Sequence, residues 1–531
     1  MNTASRQVKI FDTTLRDGQQ CPGAGMSFKA NLEYVKLAMK LGIDVLEAGF
    51  PSASKLDFDI VKTIAEDFSA EKNSPIIAGL CQLRSEQVDI TIKALESAIR
   101  HKKARLHVYL PVDPELMRAS LGERSEDKSG LVKDLYNFVK RAYDAGLEVE
   151  FSPEGYSRMG KNFDFTSDLI RAAVEAGATV INCPDTIGGA CKLEKETYFV
   201  EHMKRHAALI ATEYPGKDIT WSAHCHNDFG LAVDNTMNAV FFGPARQIEG
   251  CINGVGERAG NAALEQCIMV IKHFAHKHNS ESPLYTNINT EHLQEVCDFI
   301  GTHMLPRQPH WPISGENAAK HSSGGHTNAI LSNPMAYQPF DPNEIGKDIS
   351  FVFGPLSGGN HAKSIINEAG YVCEESEKAE VAQFIKDFYR ERRKGITDQE
   401  LLRAYFEYRK PISVERFDYS KSANTSAVHL TGKFFDETGE ITQKHEGRDS
   451  ALAALKQAVD RKMPGFNIQS HRSNSDGEGV DARSLSAIVI GDGGERVYEG
   501  YGDDQDIEIS AMKAFIDAVN KAYVEREYRR K

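Results

Sequence analysis

The 531-residue sequence has no apolar run near the roughly 20 residues that a membrane span needs. Its opening segment, MNTASRQVKIFDTTLRDG, has no apolar signal-peptide core. No CxxC pair occurs, and the nine cysteines are scattered between Cys21 and Cys373. An odd, dispersed set excludes a disulfide framework and fits reduced thiols, so a cytoplasmic location is expected. A cationic surplus is missing too: 63 Lys+Arg face 76 Asp+Glu, a net charge of −13 with His neutral. Neither nucleic acid nor a membrane is therefore an expected partner. An anionic substrate must be held by local groups against the overall field. No G-x-x-x-x-G-K-[ST] loop is present, which disfavours a nucleoside triphosphatase.

What is there fits a globular protein: 41% hydrophobic and 26% charged residues, with mean hydropathy −0.42. The length calls for a domain of about 250–300 residues plus smaller ones. Eight apolar runs stand out: Val8–Thr14, Val45–Phe50, Ile76–Cys81, Arg105–Pro111, Glu148–Pro153, Thr179–Pro184, Ile219–His226 and Gln247–Asn253. Stretches with helical spacing follow them, as in Phe28–Leu41, Phe58–Phe68 and Ser85–Arg100. Leu41-Gly42, Ala145-Gly146 and Ala176-Gly177 stand where a C-cap glycine belongs. Alternation of this kind predicts an α/β protein with a (β/α)8 TIM barrel over 1–285, an open doubly wound sheet being the alternative.

Residues 286–424 read as largely helical linker subdomains, interrupted by the Pro- and Gly-rich Leu305–Gly359. The charged Arg390–Lys394 and the following Tyr405–Tyr419 read as a helical connector. Residues 425–531 form two similar strand–hairpin–helix halves, a small α+β domain without a His or Arg cluster. Binding or assembly is expected there, not chemistry.

His224-Cys225-His226 ends the seventh run. Residues i and i+2 of a strand share a face, so both imidazoles point into one space, as two ligands of a divalent metal do. Two hydrogen-bonded rim histidines are the plain alternative. The polar turn Asn227-Asp228-Phe229-Gly230 tilts the balance to metal. Asp12-Thr13-Thr14-Leu15-Arg16-Asp17-Gly18 leaves the first run, and Asp17 would complete a set of two histidines and a carboxylate. Arg16 would offset charge developing on an oxygen, unless Arg16 and Asp17 form only a structural pair. Further strand ends supply His107, Ser152, Glu154, Asp185 and Thr186, and the last runs into NGVGERAGN up to Asn261. Polar residues converging at strand C-termini are the mark of a barrel active site. GVGERAG lacks dinucleotide spacing, and alternation turns Cys225 away from the barrel axis. In SSGGHT, His326 together with Tyr337 would suit proton transfer, the alternative being an ordinary Gly-rich loop. Gly354–Asn360 leaves two readings open, a turn or an anion wrap.

In order along nearly the whole chain, FDTTLRDG, HCHNDFGLAVDN and NGVGERAGN resemble the metal-dependent acyl-CoA-condensing TIM barrels. That family includes 2-isopropylmalate, citramalate and homocitrate synthases and related lyases. The resemblance implies Asp17, His224, His226 and Asn261 as metal ligands for Mn2+, Mg2+ or Zn2+, with K+ as an activator. It implies Arg16, Glu154, His326 and Tyr337 as catalytic, the last two reaching a partner subunit's catalytic mouth, and Arg16, His107, Ser152 and Thr186 as substrate-binding. A C-terminal regulatory and dimerisation domain is also implied, and with Asp at 17 it favours the 2-isopropylmalate group over the citramalate and homocitrate groups. The implied reaction joins acetyl-CoA to a 2-oxoacid, 3-methyl-2-oxobutanoate, at the first committed step of leucine biosynthesis. A homodimer or higher oligomer inhibited by leucine is implied with it. Gln19 stands where many relatives carry Glu, and GENAAKHSSGGHTNAI departs from the commoner loop. A non-catalytic metabolite sensor would not need Arg16, Asp17 and the paired histidines together, and a lyase would leave the C-terminal region without a use.

Overall fold

A computed structural model describes residues 6–392, 394–446, 450–476 and 482–530. Arg393, within the expected connector, lies outside the described residues, as do 447–449, 477–481 and 531 of the C-terminal region. Eight parallel strands close into a barrel in sequence order. They are β1 (Lys9–Asp12), β2 (Val45–Gly49), β3 (Ile76–Gln82), β4 (Ala104–Pro111), β5 (Glu148–Glu154), β6 (Val180–Asp185), β7 (Thr220–Cys225) and β8 (Ala245–Gly250). Barrel closure pairs Phe11 with Glu249 and Asp12 with Gly250. The open-sheet alternative is thereby excluded.

Helices alternate with the strands for local reasons. Ser27 caps Phe28–Leu41 by accepting the Ala30 amide. Gly42, Gly146 and Gly177 take φ of +87°, +93° and +116°, the left-handed geometry that ends the helices before β2, β5 and β6. The expected helix Ser85–Arg100 is two, Ser85–Ala94 and Glu96–Arg100, broken at Leu95 with φ −93° and ψ 6°. Residues 1–319 and 340–349 make one compact unit, and 320–339 with 350–531 make a second.

In the second unit, helices Gly359–Glu368, Lys378–Phe388 and Asp398–Arg409 surround a core of Ile366, Val381, Leu401 and Tyr405. The connector expected over Tyr405–Tyr419 requires correction, because Ile412–Lys421 is a strand. It pairs antiparallel with Thr425–Phe434, which pairs with Glu437–Glu446. The pattern ISVERFDYSK places polar residues on both faces, so no apolar run announces this edge strand. A second three-stranded sheet, Asn467–Asp476, Arg483–Gly491 and Val497–Asp504, precedes the helix Ile507–Tyr528. That helix reaches the neighbouring helical core through Val524, and Glu525 accepts the Tyr371 hydroxyl. Among the described residues, no helix is long and apolar enough to cross a membrane.

Candidate active site

The C-terminal ends of the strands surround a cavity of about 210 Å³, lined among others by Arg16, Asp17, Glu154, Thr186, His224 and His226. Strand alternation sets most of them: His107 and Tyr109 on β4, Ser152 and Glu154 on β5, Asn182 and Pro184 on β6. A turn after β1 sets the others. The amides of Arg16, Asp17 and Gly18 all donate to Thr13 O, while Thr13 itself is tied to Gly250 O of β8. Arg16 and Asp17 are thus fixed against the far end of the barrel's sequence.

His224 Nε2 and His226 Nε2 face one another at 3.3 Å, with Asp17 Oδ2 3.8 Å from His224 Nε2. Donors bound about 2.0–2.1 Å from one ion stand roughly 3.0–3.4 Å apart, so the histidine pair fits a shared divalent metal. Burial pushes both imidazoles down to about 4, leaving them neutral and able to ligate at pH 7. Burial opposes charge on Asp17, but Arg16 and the two imidazoles outweigh it and hold the carboxyl well below the usual carboxylate range. His226 forms a backbone bridge with Asn261, which brings that amide to the site. Asn261 Nδ2 donates to Asp17 Oδ1 at 2.8 Å, and its buried Oδ1 has no partner. An orphaned amide oxygen beside two neutral imidazoles and a carboxylate is a fourth oxygen or nitrogen donor. Gly256, at φ +157°, makes this packing feasible: a Cβ there would lie 2.3 Å from Asn261 Nδ2.

The groups expected to touch substrate surround this set. Arg16 donates through Nε to Glu47 Oε2 at 2.5 Å and through Nη1 to Asp17 Oδ2 at 2.6 Å. Burial raises the Glu154 carboxyl above its ordinary value, with Arg16 pulling it back. His107 reaches the cavity wall with both ring nitrogens engaged, Nδ1 on Glu47 Oε1 and Nε2 on Ser152 Oγ, each at 2.7 Å. Burial alone would lower its pKa; Glu47 overrides that and raises it. Thr186 Oγ1 accepts the Gly155 amide, and Thr186 O accepts from Arg258. His326 and Tyr337 stand together in the second unit, their rings stacked at 3.9 Å and 14°.

Sequence reasoning missed Glu47, Asn182 and Glu249. Glu249 accepts from Ser222 and Asn182, and its Oε2 is the nearest charged neighbour of His224 Nδ1, at 3.5 Å. His224 Nδ1 itself is buried without a hydrogen-bond partner, so Glu249 stands behind the imidazole as a nearby charge and not as a bonded partner. Beneath it Arg105, fully buried, donates to Glu150 and Gln247 at 2.8 Å. His107, Glu150 and Glu249 also cluster at metal-ligand distances. Their partners are already in place: His107 is doubly bonded, and Glu150 accepts from Arg105 and Gln247. The signal that would have found these residues is a charged or amide side chain inside an otherwise apolar strand, as in VLEAG or ARQIEG.

Barrel and donor set define a candidate metal centre on a (β/α)8 scaffold, and residues 7–300 match the HMGL-like family model. Residues 313–393 match the homocitrate synthase post-HMGL domain-like model, and 399–523 the LeuA allosteric (dimerisation) domain. The chain is 33% identical to 2-isopropylmalate synthase 2, chloroplastic, of Arabidopsis thaliana, covering 97% of this chain and 83% of that one. It is 33% identical to the 2-isopropylmalate synthase of Aquifex aeolicus (98% and 97% covered) and 32% to that of Oceanobacillus iheyensis (98% and 98%). The chain belongs to the 2-isopropylmalate synthase family within the HMGL-like barrels.

Proposed function

We propose that the protein condenses acetyl-CoA with 3-methyl-2-oxobutanoate and hydrolyses the thioester, giving 2-isopropylmalate and CoA. The observation that carries this reading is one cavity lined by Asp17, His224 and His226, with Asn261 bonded to Asp17 behind them, beside Arg16 and a carboxyl of raised pKa, Glu154. Those four residues hold Mn2+, Mg2+ or Zn2+, each compatible with mixed imidazole and oxygen donors. The bound ion supplies Lewis-acid polarisation of the oxoacid ketone.

Chain residues do the remaining work. A base removes a proton from the acetyl methyl group; the carbanionic carbon bonds to the ketone carbon as the C=O π bond breaks, the resulting alkoxide takes up a proton, and water then cleaves the thioester to a carboxylate and the CoA thiol. We assign the proton to His326, assisted by Tyr337 and Glu154, on the family resemblance of SSGGHT and AYQPFDP, whose His and Tyr reach the catalytic mouth of a partner subunit; the stacked His326–Tyr337 rings keep the two groups together as that role needs. Arg16 offsets charge on enolate and alkoxide through its guanidinium fork. Ser152, Thr186 and His107 shape the oxoacid subsite, His107 through its hold on Ser152. Leucine as feedback inhibitor and a homodimer or larger oligomer belong to the same reading, supported by the match to the LeuA domain, and K+ as activator belongs to it through the family resemblance alone. So does a cytoplasmic location, supported by nine cysteines all free of disulfides.

The test is the double variant Asp17→Ala/His224→Ala. Elemental analysis should find bound divalent metal, and activity, gone from a protein with unchanged circular dichroism. Full metal retention contradicts the assignment.

A further inference from the structure

The second unit contains a cavity of about 230 Å³ in which Lys386, Arg390, Arg392 and Lys394 surround an apolar floor. Phe353, Ile385 and Ile396 are buried there, and Tyr389 is half-buried. Arg392 is paired with Glu400 and lies over the Tyr389 ring at 5.8 Å. Among the described residues, Lys386, Arg390 and Lys394 have no carboxylate partner, although the chain carries 76 acidic residues against 63 basic ones. Asp387 and Glu391, their neighbours in sequence, do not line the cavity.

Helix capping does not explain these cations. The final carbonyls of Lys378–Phe388 already accept turn amides, Tyr389 N to Ile385 O and Arg390 N to Asp387 O. Gly354-Pro355, the start of the Gly-rich loop Gly354–Asn360, also lines the cavity, with Gly354 beside Gly395 and Phe353 bridged to Ile396; Ser357 folds the loop by accepting the Gly354 amide and donating to Ser322 O. The loop's turn is therefore held by hydrogen bonds that do not involve the cations.

Unpaired cations beside an aromatic ring and aliphatic floor select a ligand with two parts. A hydrated inorganic anion gains nothing from Phe353, Ile385 and Ile396, whereas a purely apolar ligand leaves the cations unused. We infer that this cavity binds a nucleoside phosphate, its base against Tyr389 and the apolar floor and its phosphates against Lys386, Arg390, Arg392 and Lys394. Arg–phosphate pairing and base–aromatic stacking supply the two halves of the recognition. Two sources present this chemistry: the 3′-phosphoadenosine diphosphate end of CoA, and a free adenine nucleotide. The inference does not depend on the reaction proposed for the barrel.

The test is calorimetric titration of the full chain with ADP, inorganic phosphate and pantetheine. ADP should bind with a Kd below about 1 mM, at least tenfold tighter than phosphate, and more weakly at high salt. The double variant Arg390→Glu/Lys394→Glu, both exposed side chains, should weaken ADP at least tenfold with circular dichroism unchanged. Because ADP lacks the pantetheine arm, the result is independent of catalysis, and Asp17→Ala/His224→Ala should bind ADP normally. Displacement of ADP by CoA at clearly lower concentration than by dephospho-CoA assigns the site to the CoA end; displacement by neither, or by CoA no better than by dephospho-CoA, assigns it to a free nucleotide. Absence of ADP binding, equal binding by the charge-reversed variant, or phosphate binding as tightly as ADP overturns the inference.

Discussion

Glu47 accepts the Arg16 Nε proton at 2.5 Å while its other oxygen holds His107 Nδ1 at 2.7 Å, so one buried carboxylate positions both Arg16 and His107 in the cavity wall. Arg16 burial by itself would disfavour its charge; Glu47 and Asp17 more than offset this and keep the guanidinium protonated. The fork is thereby aimed before substrate arrives, which is the condition for electrostatic stabilisation without reorganisation.

Glu47→Gln should therefore lower kcat by about 10²-fold, the scale of losing one preorganised charge contact. Its metal content, measured by elemental analysis, should not change, because none of the four proposed donors is touched. Activity within twofold of the parent contradicts a positioning role for Glu47.

A pH dependence of stability follows from His206. It is buried between Tyr156 OH at 2.7 Å and Ser167 Oγ at 3.0 Å, and burial lowers its pKa to about 3. The unfolded chain takes up this proton near 6.5, the folded one only near 3. The unfolded state thus binds more protons in that window, and stability falls as pH drops from 6.5 towards 3. One such proton is worth about 1.4 kcal/mol per pH unit at full effect. The melting temperature should decline between pH 7 and 5, and His206→Gln, which keeps a partner for Tyr156, should decline less steeply. Parallel profiles contradict the assignment.

Removing the C-terminal domain should do more than abolish the leucine inhibition proposed above. A cut near Tyr419 would strand Ile412–Lys421 without its partner Thr425–Phe434, so the chain has to end near Lys410. Even there the helix Ile507–Tyr528 is lost, and with it Val524 and the Tyr371–Glu525 hydrogen bond of the helical core. Such a variant should be insensitive to leucine, keep part of its activity and melt at a lower temperature by calorimetry. Leucine inhibition that survives, or an unchanged melting temperature, contradicts this account of the domain.

Local pattern made much of the barrel legible. Period-two spacing put His224 and His226 on one face, and glycines after helices located the starts of β2, β5 and β6. The metal-type cluster was legible because its residues sit at strand ends whose neighbours are polar. The roles of Glu47 and Glu249 were not, since a charge inside a strand marks them as unusual but their partners come from other strands or the turn after β1, Arg16 and His107 for Glu47 and Ser222 and Asn182 for Glu249. Asn261 entered only through the family motif; its structural cause is the bridge to His226. Ile412–Lys421 was hidden by its two-sided polarity, as expected of an edge strand.

The central claim is the condensation reaction, and a thiol-release assay with acetyl-CoA and a panel of 2-oxoacids tests it most directly. The expected result is divalent-metal-dependent CoA release that is fastest with 3-methyl-2-oxobutanoate, ahead of pyruvate and 2-oxoglutarate. One or two methyl groups in a pocket are worth only about 1–3 kcal/mol, so the preference should appear as roughly 10- to 200-fold in kcat/KM. Pyruvate as the best acceptor would make the reaction citramalate synthesis, and no release with any oxoacid would contradict the account.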